Sequence, residues 1–324
     1  MKPLPFLLRA LAVSAFLFSP LLRADEAASA LTFIRATELA DKKTSAQTLC
    51  AEFRPADGKG AAVWLIGVAH LGTAEYYRAI QQRLDRQTVV LYEGIGIEDV
   101  KAGPGQAAHE PGIQAGLAKA LGLVFQLDAI DYRRPHFINS DLKADKIADE
   151  VREKSVASGG SQGDQTFDAL MGALQGTGEI GKMMNGFVAT LGKSAEMQET
   201  TKAVLVEVLG RAGELIALAQ SSSPAMKDLF DVILAERNTV VLADLRKQLA
   251  RRKAGESVAI FYGAAHMDEL AKHLRDDLHY VSAKQEWETA FTADPAKGGI
   301  NPGQIRLMLE LMKMQLKAAQ PAGK

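Results

Sequence analysis

Ala62-Val63-Trp64-Leu65-Ile66-Gly67-Val68-Ala69-His70 decides how this chain is read. An unbroken apolar run with branched and aromatic side chains suits a strand covered on both faces. The glycine lets the backbone turn off the strand end, and the small residue before the histidine leaves room for its imidazole. Nearly the same phrase returns at Val258-Ala259-Ile260-Phe261-Tyr262-Gly263-Ala264-Ala265-His266. Between them, Val89-Val90-Leu91-Tyr92 runs into Glu93. Each of these buried strands ends in a titratable or ligating side chain. In open α/β sheets, sites assemble at the carboxyl ends of the strands.

Working outward, Thr73 is placed to cap a helix whose apolar face is Tyr77, Ile80 and Leu84. With the strand at 88–92 this makes a βαβ unit, which favours parallel strands. Residues 94–110, rich in Gly, Ala and Pro, predict a loop over the sheet edge. A helix near 112–122, a third strand from Val124 to Ile130 and a short β run around Phe137 follow. Ser140 or Asp141 then caps a helix running through Val151.

Ser158-Gly159-Gly160-Ser161-Gln162-Gly163 reads as a hinge, beyond which the pattern turns helical. Ile180, Met183, Met184, Phe187, Val188 and Leu191 keep helical spacing, as do Val204, Leu205, Val208, Leu209, Leu215 and Ile216. Such stripes are far more often packing than a cofactor box. Ser223-Pro224 opens a long helix that ends before Gly255. A strand at 257–262, a helix at 267–275 and a strand or hairpin at about 279–291 rebuild the core. Asn301-Pro302 starts an amphipathic helix with Ile305, Met308, Leu309, Met312 and Leu316 aligned, and the sheet is its expected partner.

The expected fold is α/β, a mostly parallel or mixed sheet flanked by helices. Residues 31–157 supply its N-terminal half, 158–222 a helical insertion, and 223–324 the C-terminal half. The start of the chain, Met1-Lys2 with Arg9 and an apolar run from Ala10 to Leu22, predicts a secretory signal. It would end after Ala24, or alternatively near Ala30. The run is short for a membrane span, so the expectation is a periplasmic or secreted protein with no stable span after cleavage.

A net charge of −1, with both signs interspersed, argues against nucleic-acid binding. Cys50 is the sole cysteine, which excludes an intrachain disulfide and a cysteine-based zinc cluster. Its neighbours suggest a small residue packed in or beside a strand. Gly159-Gly160-Ser161-Gln162-Gly163 matches the serine-hydrolase formula, but Glu153–Ala157 before it make no core strand, so the strained turn that activates such a serine is missing. Gly192-Lys193-Ser194 has Phe187 where a phosphate loop needs its first glycine, and His109-Glu110 lacks the second histidine of a zinc protease.

Two neutral imidazoles and a carboxylate form a common donor set for zinc, manganese or a similar divalent ion. The same set serves acid–base chemistry without a metal. A lone histidine at a strand end is more often an ordinary hydrogen-bonded residue, but two matching phrases and a glutamate shift the balance toward a site. His136 reads as structural, and His109, His273 and His279 as surface residues. Arg237, on an otherwise apolar helix beside Asn238, is placed either to meet a substrate carboxylate or oxyanion or to pair with Glu236 or Asp244. Asp141 reads as a helix cap.

Taken in order, Trp64-Leu65-Ile66-Gly67-Val68-Ala69-His70-Leu71-Gly72, Val90-Leu91-Tyr92-Glu93, Glu236-Arg237-Asn238 and Phe261-Tyr262-Gly263-Ala264-Ala265-His266 resemble the TraB/GumN/Tiki family, whose relatives include erythromycin esterases and haem-binding ChaN proteins. The resemblance covers most of the mature chain and is weakest across 94–222. It implies an α/β sheet with a helical insertion and a metal-dependent hydrolase site, since Tiki members are described as metalloproteases. Carried over residue by residue, His70 and His266 match the motif histidines, Glu93 the glutamate, and Arg237 with Asn238 the late pair. His70, Glu93 and His266 would then hold a divalent metal ion or activate water, and Arg237 would steady the developing charge. Many relatives carry Gly-Thr where this chain has Gly67-Val68, which removes a hydroxyl ligand. The expected partner is a small-molecule or peptide substrate cleaved at a peptide, amide or ester bond. The alternative is an envelope protein that binds haem, metal or a peptide without turnover; a haem binder needs an apolar slot beside a histidine, for which Tyr76, Tyr77 and the methionines of the insertion are the available residues. A third reading is a structural envelope protein whose site has lapsed.

Overall fold

The continuously apolar phrases form the middle of a mixed sheet in the computed structural model, which describes residues 31–94, 113–157 and 178–318. Strand β3 (Ala62–Val68) pairs in parallel with β8 (Ser257–Gly263), β8 with β5 (Val89–Tyr92), and β5 with β7 (Phe137–Asn139). On the other side of β3 the sheet turns antiparallel through β2 (Thr44–Pro55), which also pairs with β1 (Ile34–Glu38) and, over its whole length, with β9 (Tyr280–Ala293). The order is β1-β2-β3-β8-β5-β7, with β9 joined to β2. The fold is therefore α/β with a mixed sheet.

The βαβ reading of β3, helix α1 (Ala74–Leu84) and β5 holds, but β3 and β5 are not neighbours, because β8 lies between them. Thr73 caps α1 by accepting from the Tyr76 amide at 3.2 Å. Tyr77, Ile80 and Leu84 are fully buried. Burial of each such side chain contributes about 1.5–3 kcal/mol, enough to hold α1 on the sheet.

Several expectations change. Val124–Ile130 is not a core strand. Only β6 (Val124–Phe125) is extended, and it pairs with the two-residue β4 (Leu71–Gly72) away from the main sheet. Helix α2 (Ile113–Ala120) precedes it and a single helical turn, α3 (Gln126–Ala129), follows. The Gln126 amide donates to the His70 carbonyl at 3.0 Å, so this segment is tied to the first histidine phrase. Helix α4 spans Ala144–Ala157, placing Glu153–Ala157 on a helix, and the Gly/Ser hinge and its serine lie outside the described residues. So do residues 95–112 and the predicted export signal.

The helical stretch continues as α5 (Gly178–Leu191), α6 (Ala195–Gly210) and α7 (Ala212–Ser222). Ala203 and Val206 of α6 share a core cluster with Ile66, Val90 and Phe261 of the sheet. A Cβ on Gly210 would stand 2.6 Å from the Cβ of Ala36, so only glycine lets the end of α6 close against β1. Helix α10 spans Met267–Asp276, and the last helix, α11 (Pro302–Ala318), packs Ile305 and Leu309 into this cluster beside α6, whereas the sheet was its expected partner. Arg306 to Glu207 and Lys313 to Glu214 link it to α6 and α7. No helix among the described residues is long and apolar enough to cross a membrane.

The long helix opened by Ser223 is interrupted. Ser223 caps α8 (Pro224–Phe230), a π-helical stretch occupies Asp231–Glu236, and α9 (Arg237–Leu249) resumes the α form. Such widened turns concentrate at functional sites. This one ends immediately before Arg237.

Candidate functional site

Register explains how residues almost two hundred positions apart meet. Val68 is aligned with Gly263 across β3 and β8, and Phe261 with Tyr92 across β8 and β5. The residues just past these ends must share one edge. A Cβ on Gly263 would lie 3.3 Å from Glu93 Oε2, 3.4 Å from His70 Nε2 and 3.9 Å from His266 Cδ2. The Gly263 amide donates to Glu93 Oε2 at 2.6 Å. The missing side chain is what lets the carboxylate and both imidazoles close around that backbone.

His70 is held through its backbone while its side chain is exposed. The Ala69 amide donates to the Tyr76 hydroxyl at 3.1 Å, and the Tyr77 hydroxyl donates to the Ala69 carbonyl at 2.8 Å. Tyr76 also meets Thr48 Oγ1 at 2.8 Å. Both tyrosines are buried, at 3% and 1% exposure, with their hydroxyls committed to Thr48 and to the Ala69 backbone.

His266 is buried, and its tautomer follows from its partners. The Glu269 carboxylate only accepts, so the Asn238 amide nitrogen faces it at 2.7 Å. Asn238 Oδ1 then faces His266 Nδ1 at 2.9 Å and must receive its proton. That leaves the Nε2 lone pair pointing inward, 3.4 Å from Arg237 Nη1 and 3.8 Å from Glu93 Oε1. Burial pushes the His266 pKa down to about 4, despite the opposing pull of Glu93, so the ring is neutral.

Arg237 sits among these groups with every N–H directed at an acceptor. Nε donates to Asp141 Oδ1 at 2.9 Å, Nη2 to Asp141 Oδ2 at 2.8 Å and to Glu93 Oε1 at 2.6 Å. Nη1 donates to the Ile233 carbonyl of the π stretch at 3.1 Å and faces His266 Nε2 at 3.4 Å. All five N–H groups of the guanidinium are thus engaged, which leaves no spare donor for the substrate oxyanion that the sequence reading gave it, and it pairs with neither Glu236 nor Asp244. Glu236 takes Lys154, while Asp244 takes Ser140 and Lys247. Burial raises the Glu93 pKa most strongly of any single cause, but Arg237, the two histidines and the Gly263 amide together outweigh it and hold the carboxyl well below the usual range.

Asp141 is the residue that sequence reasoning missed. It is not the cap of α4. Its side chain is 1% exposed and accepts from Arg237 and from the amides of Gly94 and Leu142, at 2.9 and 2.8 Å for the latter two. Asn139 is aligned with Tyr92, so Asp141 follows the end of a fourth adjacent parallel strand. The strand-end rule that picked out Glu93 applies to it equally. Tyr262 completes the floor, donating its hydroxyl to the Ser140 carbonyl, with its ring 5.2 Å from that of His266.

The other candidates stand apart. His136 Nε2 meets the Leu84 carbonyl at 3.3 Å, His273 pairs with Asp277, and His279 is exposed at the turn before β9. Cys50 is fully buried, and burial pushes its thiol up to about 12, far from a reactive thiolate.

A neutral imidazole fixed by an amide and a carboxylate behind it, beside a second carboxylate, is the chemistry of a metal-ligand set. Two carboxylates against one guanidinium also leave a negative excess facing the histidines. The donor types thus fit a divalent ion. As they stand, however, no group of three or more His, Cys, Asp or Glu side chains among the described residues is arranged to hold one, and Arg237 Nη1 occupies the approach to His266 Nε2. No protein-family model, curated protein or solved structure matches this chain.

Proposed function

We propose that this chain is a hydrolase of peptide, amide or ester bonds of the TraB/GumN/Tiki type, exported to the periplasm or beyond, with His70, Glu93 and His266 as its reacting groups. The observation that carries this reading is their convergence on Gly263 from separate strands. Exposed His70 is placed to meet a substrate arriving from solvent. Once a water displaces Arg237 Nη1 from His266 Nε2, the Nε2 lone pair accepts its proton beside Glu93 Oε1, and Asn238 keeps the ring in the tautomer that can do so. Arg237 and the Gly263 amide hold Glu93 ionised and in place. A divalent ion bound by His70, Glu93 and His266 would supply Lewis-acid polarisation of the scissile carbonyl and a more acidic water.

The test is metal analysis of the purified chain together with a panel of peptide, amide and ester substrates, run on the wild type and on His70→Ala and His266→Ala. Hydrolysis lost in both variants while the fold is retained supports the proposal. Equal turnover in either variant would sink it. Stoichiometric capture of haem or a peptide without cleavage would instead favour a binding protein.

A further inference from the structure

We infer that Asp141 is a positioning residue that keeps Glu93 available to the two histidines by taking Arg237 for itself. This rests on the site proposed above but concerns a residue outside both histidine phrases. Two carboxylates compete for one guanidinium, and the division between them is unequal. Asp141 meets Arg237 through both oxygens, at 2.9 and 2.8 Å, whereas Glu93 receives a single N–H at 2.6 Å. Paired carboxylate–guanidinium contacts are the stronger and more directional arrangement. Asp141 also grips the backbone beside its competitor, since the Gly94 amide donates to Asp141 Oδ2 at 2.9 Å. It thereby anchors both the guanidinium and the peptide that follows Glu93.

The consequence is electrostatic. With Asp141 neutralising Arg237, the charge of Glu93 remains in excess at the edge where His70 and His266 meet. Without Asp141, Glu93 is the only carboxylate among the described residues still paired with the buried guanidinium. Arg237 would then turn onto Glu93 with two bonds, occupying the oxygens that face the histidines. The cluster would lose its surplus negative charge, and with it the attraction for a divalent cation.

The experiment compares Asp141→Asn, which keeps the shape and removes the charge, with Glu93→Gln and the double variant. Zinc and manganese binding to the metal-free full-length protein are read by titration calorimetry. A crystal structure of Asp141→Asn is solved without metal. The expected results are a roughly 10–100-fold loss of metal affinity in Asp141→Asn, the usual scale for a residue acting behind a ligand, and a two-bonded Arg237–Glu93 pair in its crystal. In the Glu93→Gln background the Asp141 substitution should add little, because its effect runs through Glu93. Unchanged affinity in Asp141→Asn with a clear loss in Glu93→Gln would overturn the positioning role and leave the proposed site standing. An absence of metal uptake by the wild type would count against the metal reading alone. In that case the crystal decides, and Arg237 left in its original place would overturn the inference.

Discussion

Two arginines in this molecule each face a pair of carboxylates, and they live in different worlds. Arg83 on α1 reaches Glu286 and Glu288 of β9, with side-chain exposures of 20%, 30% and 22%. Arg237 on α9 reaches Glu93 and Asp141 with exposures of 5%, 14% and 1%. The first trio clips a helix onto an antiparallel ribbon within reach of water. The second is closed among strand ends, where each charge relies on its partners because solvent cannot replace them. Identical side-chain chemistry is a surface clamp in one place and an orienting device in the other, and burial makes the difference.

The sharpest way to break that contrast is to remove each arginine. Arg237→Met should leave Glu93 and Asp141 buried without a counter-charge and cost about 3–5 kcal/mol by urea denaturation. A loss no larger than that of the half-buried Arg83 trio would mean the cluster is not desolvated.

A second probe is pH. His266 is held neutral, with its pKa at about 4 against an ordinary 6.5. The unfolded chain therefore binds a proton before the folded one does. This contribution is fully present above the ordinary value and is lost as pH falls from 6.5 to 4, amounting to at most about 3 kcal/mol. Melting temperatures across that range should drop more steeply in the wild type than in His266→Gln. Parallel curves would show that this histidine is not held neutral by burial.

Smaller still is the response at the ribbon. Arg83→Met should cost less than about 1 kcal/mol, and the difference should shrink as salt is raised. A salt-independent loss as large as that of Arg237→Met would erase the distinction between the two trios. The smallest expected change in stability is that of His70→Ala, within about 0.5 kcal/mol because the side chain is exposed. Its hydrolytic activity should nevertheless disappear.

Much of the site is legible in the residue order because it obeys one local rule: an apolar strand with a polar side chain just past its end. His70, Glu93 and His266 all follow it. Asp141 follows it too, but Phe137-Ile138-Asn139 is short and partly exposed, a weak strand signal, and a helix begins shortly afterwards at Ala144. A cap was the natural local reading. Val124–Ile130 misleads in the opposite direction. Its branched and aromatic residues look like a strand, yet Gln126 is drawn to the His70 carbonyl and the chain coils there. The π stretch before Arg237 leaves no mark in apolar periodicity, since Val232 and Leu229 stay buried on either reading.

The sequence by itself determined that Ala62–Val68, Val89–Tyr92 and Ser257–Gly263 become buried strands and which side chains stand at their ends, because both depend on neighbours within a few residues. It also determined that α1 is amphipathic and where it starts, through Thr73. Only the tertiary structure decided that β8 enters between β3 and β5, bringing His266 between His70 and Glu93. It alone decided that Arg237 belongs to Asp141 as much as to Glu93, and that α6 closes over the β1–β2–β9 ribbon with α11 packed behind it. These outcomes rest on hydrogen-bond register and on the exclusion of water between segments far apart in the chain. No local pattern encodes which distant carboxylate a buried guanidinium will find.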